Sequence, residues 1–509
     1  MQNTEEPSVR VQQKILPDMS VQSRRMTHLL RSSGNSVKKP VTRSCDMTEI
    51  RCLHLDMKSL FPTAEYLLKT VEQLAELGYT HLLFEFEDLF PFEAFPEFVR
   101  PYAYSKDDFR RIDLKCRELG LKIIPLLQSA GHLDYFLKEK PYRHLQENHN
   151  SYQWCLSDPE SFEVWKTMAG EILAVFPECE YFHIGADEVH LKDPCPRCKG
   201  KDAFQIYAGR IRECVRFMVE HGKKVLMWDD MFRNHDLAVV GDLLEFATPC
   251  VWQYRKIDEA VIKRYADRRI AYWGASRIQT NDEIFRGMGR QFLMQKNVDD
   301  WADIEAKYPS CGHIGTVWGR IQSLYPINTT LPQAMYMAAY QTHTLKYGKI
   351  TDRCKFNREF AESFFGLPEM DMDTLVRWFG IEPEPVREEL EKFLGKAQKN
   401  NDILEIWYMF NEIDALYAYV DYCFGHNNAA KPKFSRGFVN QAQINNWLDG
   451  VRITRERSEK LIAELRKVLP KYFPRESLEE FIEERFSSMF EQNEAWGTFL
   501  AGVNSRPHI

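Results

Sequence analysis

The sequence predicts an α/β protein: a (β/α)8 TIM barrel followed by a helical C-terminal region. Three observations carry that expectation. Short apolar runs alternate with helix-like amphipathic stretches between residues 51 and 348. Glycines stop several of those stretches, at Gly78, Gly120 and Gly222. Carboxylates, histidines and tryptophans follow directly after the apolar runs, which is where a parallel barrel gathers its working groups. The expected division is a flexible basic N-terminal arm over 1–47, the barrel over 48–348 and a helical domain over 349–509.

Taken in order, residues 51–56 (Arg-Cys-Leu-His-Leu-Asp) form strand one. Residues 64–77 repeat apolar side chains at helical spacing (Leu67, Leu68, Val71, Leu74, Ala75). Strand two is 81–86, helix two 106–119 and strand three 121–127. Helix three spans 158–175, and strand four opens at Tyr181-Phe-His-Ile184, rich in aromatic and β-branched residues. Helix four covers 201–221. Strands five to eight are expected at 224–228, 250–254, 270–273 and 312–318, with helices near 257–268, 298–307 and 331–345. Beyond Gly348 the pattern is helical only, at 355–365, 385–424, 438–468 and 475–500. An aromatic stripe there (Trp407, Tyr408, Phe410, Tyr417, Tyr419, Tyr422) reads as core or interface.

The 67 basic and 74 acidic residues leave a formal charge of −7, too mild to point to nucleic acid or a membrane surface. With 44 % apolar and 13 % aromatic residues, the 509-residue chain can bury a large core. No apolar run approaches the ~20 residues of a membrane span. The start lacks the basic-then-apolar pattern of a secretory signal. The twelve cysteines are scattered, so reduced thiols in a cytoplasmic protein are expected. Residues 21–45 carry basic and no acidic side chains, as expected of a solvated arm.

Strand four leads into Gly185-Ala-Asp187-Glu188. Neighbouring strand residues face opposite sides, so two adjacent carboxylates can share a site only where the strand ends and the backbone turns. That makes Asp187 and Glu188 the catalytic candidates. The other strand ends supply Asp56, Lys58, Glu87, Asp88, His132, His183, Trp228, Asp229, Trp252, Tyr254, Trp273, Trp318 and Arg320 as candidate substrate contacts. Carboxylates bind hydroxyls and move protons, while aromatic faces pack on the C–H face of a pyranose, so the inventory suits a sugar.

His183-Ile-Gly-Ala-Asp187-Glu188 resembles the His-x-Gly-x-Asp-Glu signature of family 20 glycoside hydrolases, the β-N-acetylhexosaminidases. His54-Leu-Asp-Met-Lys58, Phe84-Glu-Phe-Glu-Asp-Leu-Phe-Pro91, Pro125-Leu-Leu-Gln-Ser-Ala-Gly-His132, Trp228-Asp-Asp-Met231 and Trp252-Gln-Tyr254 support it, so the likeness covers about 50–345 in order. The resemblance implies removal of terminal β-linked GalNAc or GlcNAc from a glycan or glycoside with retention, the substrate's own 2-acetamido oxygen acting as nucleophile. Glu188 would protonate the leaving oxygen and later activate water, aided by a pKa that neighbouring Asp187 is expected to raise. Asp187 would bind the acetamido N–H, and Trp228, Trp252 and Trp318 would enclose its methyl. Tyr254 is the candidate for the acetamido carbonyl.

The chain departs from the family pattern in three ways. The arm is too short for the α/β domain that precedes the barrel in typical members. Lys58 stands near where an arginine is usual, and the last strand ends Trp318-Gly-Arg320 instead of Trp-x-Glu. The choice between gluco and galacto sugars therefore stays open.

No cofactor and no metal are assigned. Cys195-Pro-Arg-Cys198 lacks the second cysteine pair of a structural zinc site, and Cys155, Cys179 or Cys214 would have to complete it. Two other readings stand beside the glycosidase. One is a metal-dependent barrel hydrolase using His132, His183, Asp187 and His190. The other is a carbohydrate-binding protein without catalysis. Neither nucleic acid nor membrane is expected as partner, and the C-terminal helices are a candidate homodimer surface.

Overall fold

In the computed structural model, residues 49–504 are described, apart from 191, 193, 280–286, 321–323, 437 and 439. The expected arm over 1–47 lies outside the described residues.

Eight parallel strands close into a barrel: β1 (Arg51–Asp56), β2 (His81–Glu85), β3 (Lys122–Leu126), β4 (Tyr181–His183), β5 (Lys224–Trp228), β6 (Ala247–Trp252), β7 (Trp273–Gln279) and β8 (Gly312–Val317). Each pairs with its neighbour in sequence, and β8 returns to β1 with His313 opposite Arg51. The strands are buried along almost their whole length because one face meets the barrel interior and the other meets helices.

Among the described residues, seven helices of nine residues or more follow the strands or their loops: α1 (Ala64–Leu77), α2 (Lys106–Glu118), α3 (Pro159–Val175), α4 (Ala203–Glu220), α5 (Glu259–Asp267), α6 (Gln291–Lys307) and α7 (Met335–Tyr347). Their starts are written in local chemistry. Thr63 accepts from the Tyr66 amide before α1, Ser105 and Asp108 form a reciprocal capping box at α2, and Asp158 caps α3 just ahead of Pro159. Gly78 ends α1 at φ 97°, a left-handed turn that suits glycine.

Two apolar layers result. Inside the barrel, Cys52, Leu83, Ile124, Leu226, Trp273 and Ile314 pack together. Outside it, a larger layer fills the space between strands and helices.

Two strands lie elsewhere than expected. β6 begins at Ala247 and ends at Trp252, so Tyr254 belongs to the loop beyond it. β7 runs Trp273–Gln279 instead of 270–273. Its Gly-Ala-Ser-Arg stretch is small and polar, which hides it from a search for apolar runs. A short antiparallel hairpin, Gln146–Glu147 with Asn150–Trp154, was not anticipated.

The C-terminal region is helical: α8 (Arg353–Phe360), α9 (Met372–Trp378), α10 (Pro383–Phe393), α11 (Asn401–Ser435), α12 (Gln441–Val468) and α13 (Arg475–Asn504). The helix expected over 385–424 is broken where Gly395 and Asn400 take left-handed conformations, at φ 75° and 52°. These helices are tied to the barrel. Asp402 accepts from Tyr66 (2.5 Å) and Lys69 (2.6 Å) of α1, and buried Trp407 donates to the Pro332 carbonyl (3.1 Å). In the aromatic stripe Trp407 and Phe410 are core, whereas Tyr422 is exposed.

Candidate active site

The backbone after β4 explains how two adjacent carboxylates come to share one site. The barrel ladder continues past His183, with the Ser129 amide donating to Ile184 (3.1 Å) and the Trp228 amide to Gly185 (3.0 Å). The chain then turns through left-handed conformations at Gly185 (φ 63°), Ala186 (φ 75°) and Glu188 (φ 50°). Such a conformation costs a non-glycine residue roughly 1–2 kcal/mol, so it persists only where the surroundings hold it. Here Tyr207 of α4 donates to the Ala186 carbonyl (2.8 Å), and the Glu188 amide donates to Asp230 (2.9 Å).

His132, itself at φ 54°, joins the two carboxylates. Its Nε2 lies 3.2 Å from Asp187 Oδ2, 3.3 Å from Glu188 Oε2 and 2.8 Å from the Tyr152 hydroxyl. Burial works against a charged imidazole, but the Asp187 and Glu188 carboxylates outweigh it and hold His132 well above its ordinary pKa. The hydrogen bond from His132 in turn lowers Glu188. The expectation that Asp187 raises Glu188 is thus corrected: the histidine between them dominates. Asp187 is nearly buried, and its Oδ1 has no hydrogen-bond partner in the protein.

A second charged cluster sits at the ends of β1 and β2. Lys58 Nζ is 2.8 Å from Asp56 and 3.5 Å from each of Glu85 and Glu87, with all four groups buried. Burial opposes the Lys58 charge, but these three carboxylates outweigh it and raise its pKa. Burial raises Glu87 above the carboxylate range, whereas Lys58 and His54 hold Glu85 below it. Arg320 is buried, lies 3.7 Å from Glu484 of α13, and its Nε has no partner in the protein.

The aromatic wall runs from β5 to β8. Trp228 packs at 4.5 Å against His183 and at 6.2 Å against Trp318, and Trp318 packs at 4.5 Å against His54. Burial lowers His183 to about 3, so it is neutral and accepts from the Gly185 amide (3.0 Å). Trp252 Nε1 donates to Asp230 (3.2 Å), and Trp318 Nε1 donates to the Tyr254 hydroxyl (3.0 Å). A cleft of about 500 Å³ opens on this side, lined by Arg233, Trp252, Gln253, Tyr254, Arg277 and Trp318 among others.

Three expected contacts lie elsewhere. Trp273 is the first residue of β7, opposite Gly312 and Cys250, and packs on Tyr181. It fills the floor of the barrel because its strand starts where the sequence reading had it end. Asp88 turns away to Arg100 (2.7 Å), which bonds Glu480 of α13. Asp229 faces Arg233 (2.6 Å) and Tyr265 (3.2 Å), and burial raises it to about 6. Its neighbour Asp230, past the end of β5, faces the pair instead, where it accepts from the Glu188 amide and Trp252 Nε1. Burial and then Asp187 raise the Asp230 pKa. Sequence reasoning also passed over Tyr152, because the hairpin that carries it gives no strand-length apolar run.

The metal-hydrolase alternative needs His132, His183, Asp187 and His190 to converge. Among the described residues they do not: His183 faces Trp228 and His190 stacks with Tyr152.

Residues 50–270 match the family described as glycosyl hydrolase family 20, catalytic domain. The chain is 30 % identical over 221 residues to hexosaminidase D of Homo sapiens, covering 40 % of this chain and 45 % of that protein. It is 23 % identical over 353 residues to hexosaminidase D of Bos taurus, covering 63 % of this chain and 98 % of that one. The match thus spans less than half of the human relative's length. A solved β-N-acetylhexosaminidase from Streptomyces coelicolor A3(2) aligns with a TM-score of 0.49 at 14 % identity, over 64 % of this chain and 69 % of that chain.

Proposed function

We infer that this chain, which belongs to glycosyl hydrolase family 20, is an exo-acting, retaining β-N-acetylhexosaminidase that removes terminal β-linked GalNAc or GlcNAc. In this reading the 2-acetamido oxygen attacks the anomeric carbon and the glycosidic bond breaks. Glu188 delivers a proton to the departing oxygen, then takes one from the water that opens the oxazolinium ion. Asp187 accepts the acetamido N–H and balances the positive charge that develops on the ring.

The observation that carries the reading is the state of Asp187. One oxygen is held by His132, and the other is buried without a protein donor. A buried acceptor left in that state is costly unless a ligand supplies the hydrogen bond, and an amide N–H does so. The proton for the leaving group is shared between His132 and Glu188 instead of residing on Glu188 alone.

Trp228, Trp252 and Trp318 are assigned to the acetamido pocket and Tyr254 to its carbonyl, supported by their shared wall. Asp56, Lys58, Glu87 and Arg320 are assigned to the sugar hydroxyls. The catalytic unit is taken as 48–348 with 349–509 as its helical support, and the surface of those helices as a candidate contact between copies. A cytoplasmic setting belongs to the same reading, on the strength of the scattered thiols; no helix among the described residues is long and apolar enough to cross a membrane.

A panel of aryl β-glycosides tests the proposal. Turnover is expected for 2-acetamido sugars and almost none for plain β-glucosides and β-galactosides. Comparable rates on both would overturn it.

A further inference from the structure

Behind the catalytic pair the fold brings together three thiols and a carboxylate that the reaction does not use. Cys155 follows the 146–154 hairpin, Cys195 and Cys198 lie in the loop after β4, and Glu147 is on the hairpin's first strand. All four are buried, and their ligand atoms lie within 4.8 Å of one another. Cys155 Sγ is 3.5 Å from Cys195 Sγ and 3.6 Å from Cys198 Sγ, and Cys198 Sγ is 3.3 Å from Glu147 Oε2. The other two cysteines that the sequence offered lie apart: Cys179 is beside Lys223, whose ammonium bonds its carbonyl, and Cys214 is buried within α4.

We propose that Glu147, Cys155, Cys195 and Cys198 form a closed, four-coordinate structural site for zinc.

The spacing fits. Metal–sulfur bonds of ~2.3 Å in a tetrahedron put sulfurs about 3.8 Å apart, a few tenths of an ångström from the separations here. The sulfurs are too far apart for disulfides, whose S–S bond is about 2.05 Å. The donor set selects the ion: three soft thiolates with one carboxylate suit zinc, and calcium or magnesium would demand oxygen ligands throughout.

Glu147 supplies a second, independent argument. A thiol cluster alone is an unremarkable piece of core, but a carboxylate 2 % exposed is not. Its partners are the Cys195 amide (2.6 Å) and the Cys198 thiol (3.3 Å), and among the described residues no cationic side chain pairs with it. A buried carboxylate without a countercharge is unfavourable, and a divalent cation among the thiolates supplies one.

The location gives the site a task. Gln153 and His190 exchange two hydrogen bonds (2.7 and 2.8 Å), joining the hairpin to the loop that leaves Glu188. Tyr152 on the same hairpin bonds His132, which holds both carboxylates. A metal crosslinking Glu147 and Cys155 to Cys195 and Cys198 fixes this assembly from behind. With all four positions filled by protein it has no open place for substrate, so its role is structural. The proposal does not depend on which sugar, or whether any sugar, is hydrolysed.

Elemental analysis of the full chain, purified without chelator from zinc-supplemented cells, tests it. One zinc ion per chain is expected, released by a thiol-specific mercurial. The melting temperature should fall on extraction and recover with zinc but not with magnesium. Cobalt exchanged into the extracted chain should give intense tetrahedral visible bands and a near-ultraviolet thiolate charge-transfer band. Cys198→Ser and Glu147→Gln should lose or weaken the metal, while Cys116→Ser, a buried thiol elsewhere, should keep it.

The unaltered chain provides the decisive arm should those variants fail to fold. Less than a tenth of an equivalent of zinc with no cobalt–thiolate band would overturn the proposal. So would a disulfide within the cluster, or full zinc retention in folded Cys198→Ser and Glu147→Gln.

Discussion

His132 lies within hydrogen-bond reach of both Asp187 and Glu188, so the titration of the imidazole and of Glu188 belongs to the pair and not to either residue alone. His132 is raised and Glu188 lowered, which places the mobile proton on the imidazole at neutral pH. Loss of that proton disables acid catalysis, so the basic limb of kcat/KM should lie well above pH 6.5. In His132→Ala the proton is left to Glu188, a carboxylate whose ordinary pKa lies below that of an imidazole. The basic limb should therefore move to lower pH; a limb that stays in place would separate His132 from proton storage. Asp187→Asn keeps the shape and loses the charge. Its kcat should fall ~10²–10⁴-fold with a much smaller change in KM, as when a preorganised electrostatic contact is removed. Steady-state kinetics on one aryl substrate would measure both, and a loss confined to KM would contradict the role.

The β4 end is the element on which the site depends. A Cβ added at Gly185 would collide with the Gln128 side-chain amide, and its φ of 63° is a left-handed conformation. Gly185→Ala should therefore cost stability by about 1–3 kcal/mol and lower kcat by displacing the two residues that follow. Thermal unfolding and kinetics together check this, and an unchanged Tm with full activity would refute it. The same element shows what a sequence discloses. The aromatic strand and the adjacent carboxylates after a glycine were legible because strand chemistry and the turn signal agree. β7 was not, because Trp273-Gly-Ala-Ser-Arg277 carries little apolar pattern, and its register is set by packing of Trp273 against Gly312. That error moved one tryptophan from the floor to the rim. The orientation of Asp229 against Asp230 was likewise a tertiary matter, decided by Arg233 and Tyr265 on one side and by the Glu188 amide on the other. The Cys195–Cys198 pair was visible, but its partners arrive from a hairpin that only the fold brings near.

At the scale of the molecule, the described residues from 49 to 504 pack as one compact unit. Tyr66 and Lys69 reach Asp402, Asp88 reaches Glu480 through Arg100, and Arg485 of α13 donates to Asn328 in the loop after β8 (2.8 Å). The C-terminal helices thus hold the outer face of α1 and the loops next to the Lys58 cluster. A chain ended at residue 348 would expose that apolar face and leave Arg320 without Glu484. It should fail to give a monomer with a cooperative melt, as read by size exclusion and calorimetry. A soluble truncated barrel with a sharp transition would show that the helices are dispensable for folding.

The central claim is that the nucleophile belongs to the substrate, and it is tested most directly by weakening that nucleophile alone. Aryl β-N-acetylhexosaminides whose acetyl methyl carries one, two or three fluorines keep the leaving group and the sugar while draining electron density from the acetamido oxygen. The account predicts that kcat/KM falls steadily with each fluorine, because that oxygen forms the bond to the anomeric carbon in the rate-limiting step. Rates that stay level across the series, with a glycosyl group trapped on Asp187 or Glu188 by a fluorosugar, would contradict it and return the site to a two-carboxylate mechanism.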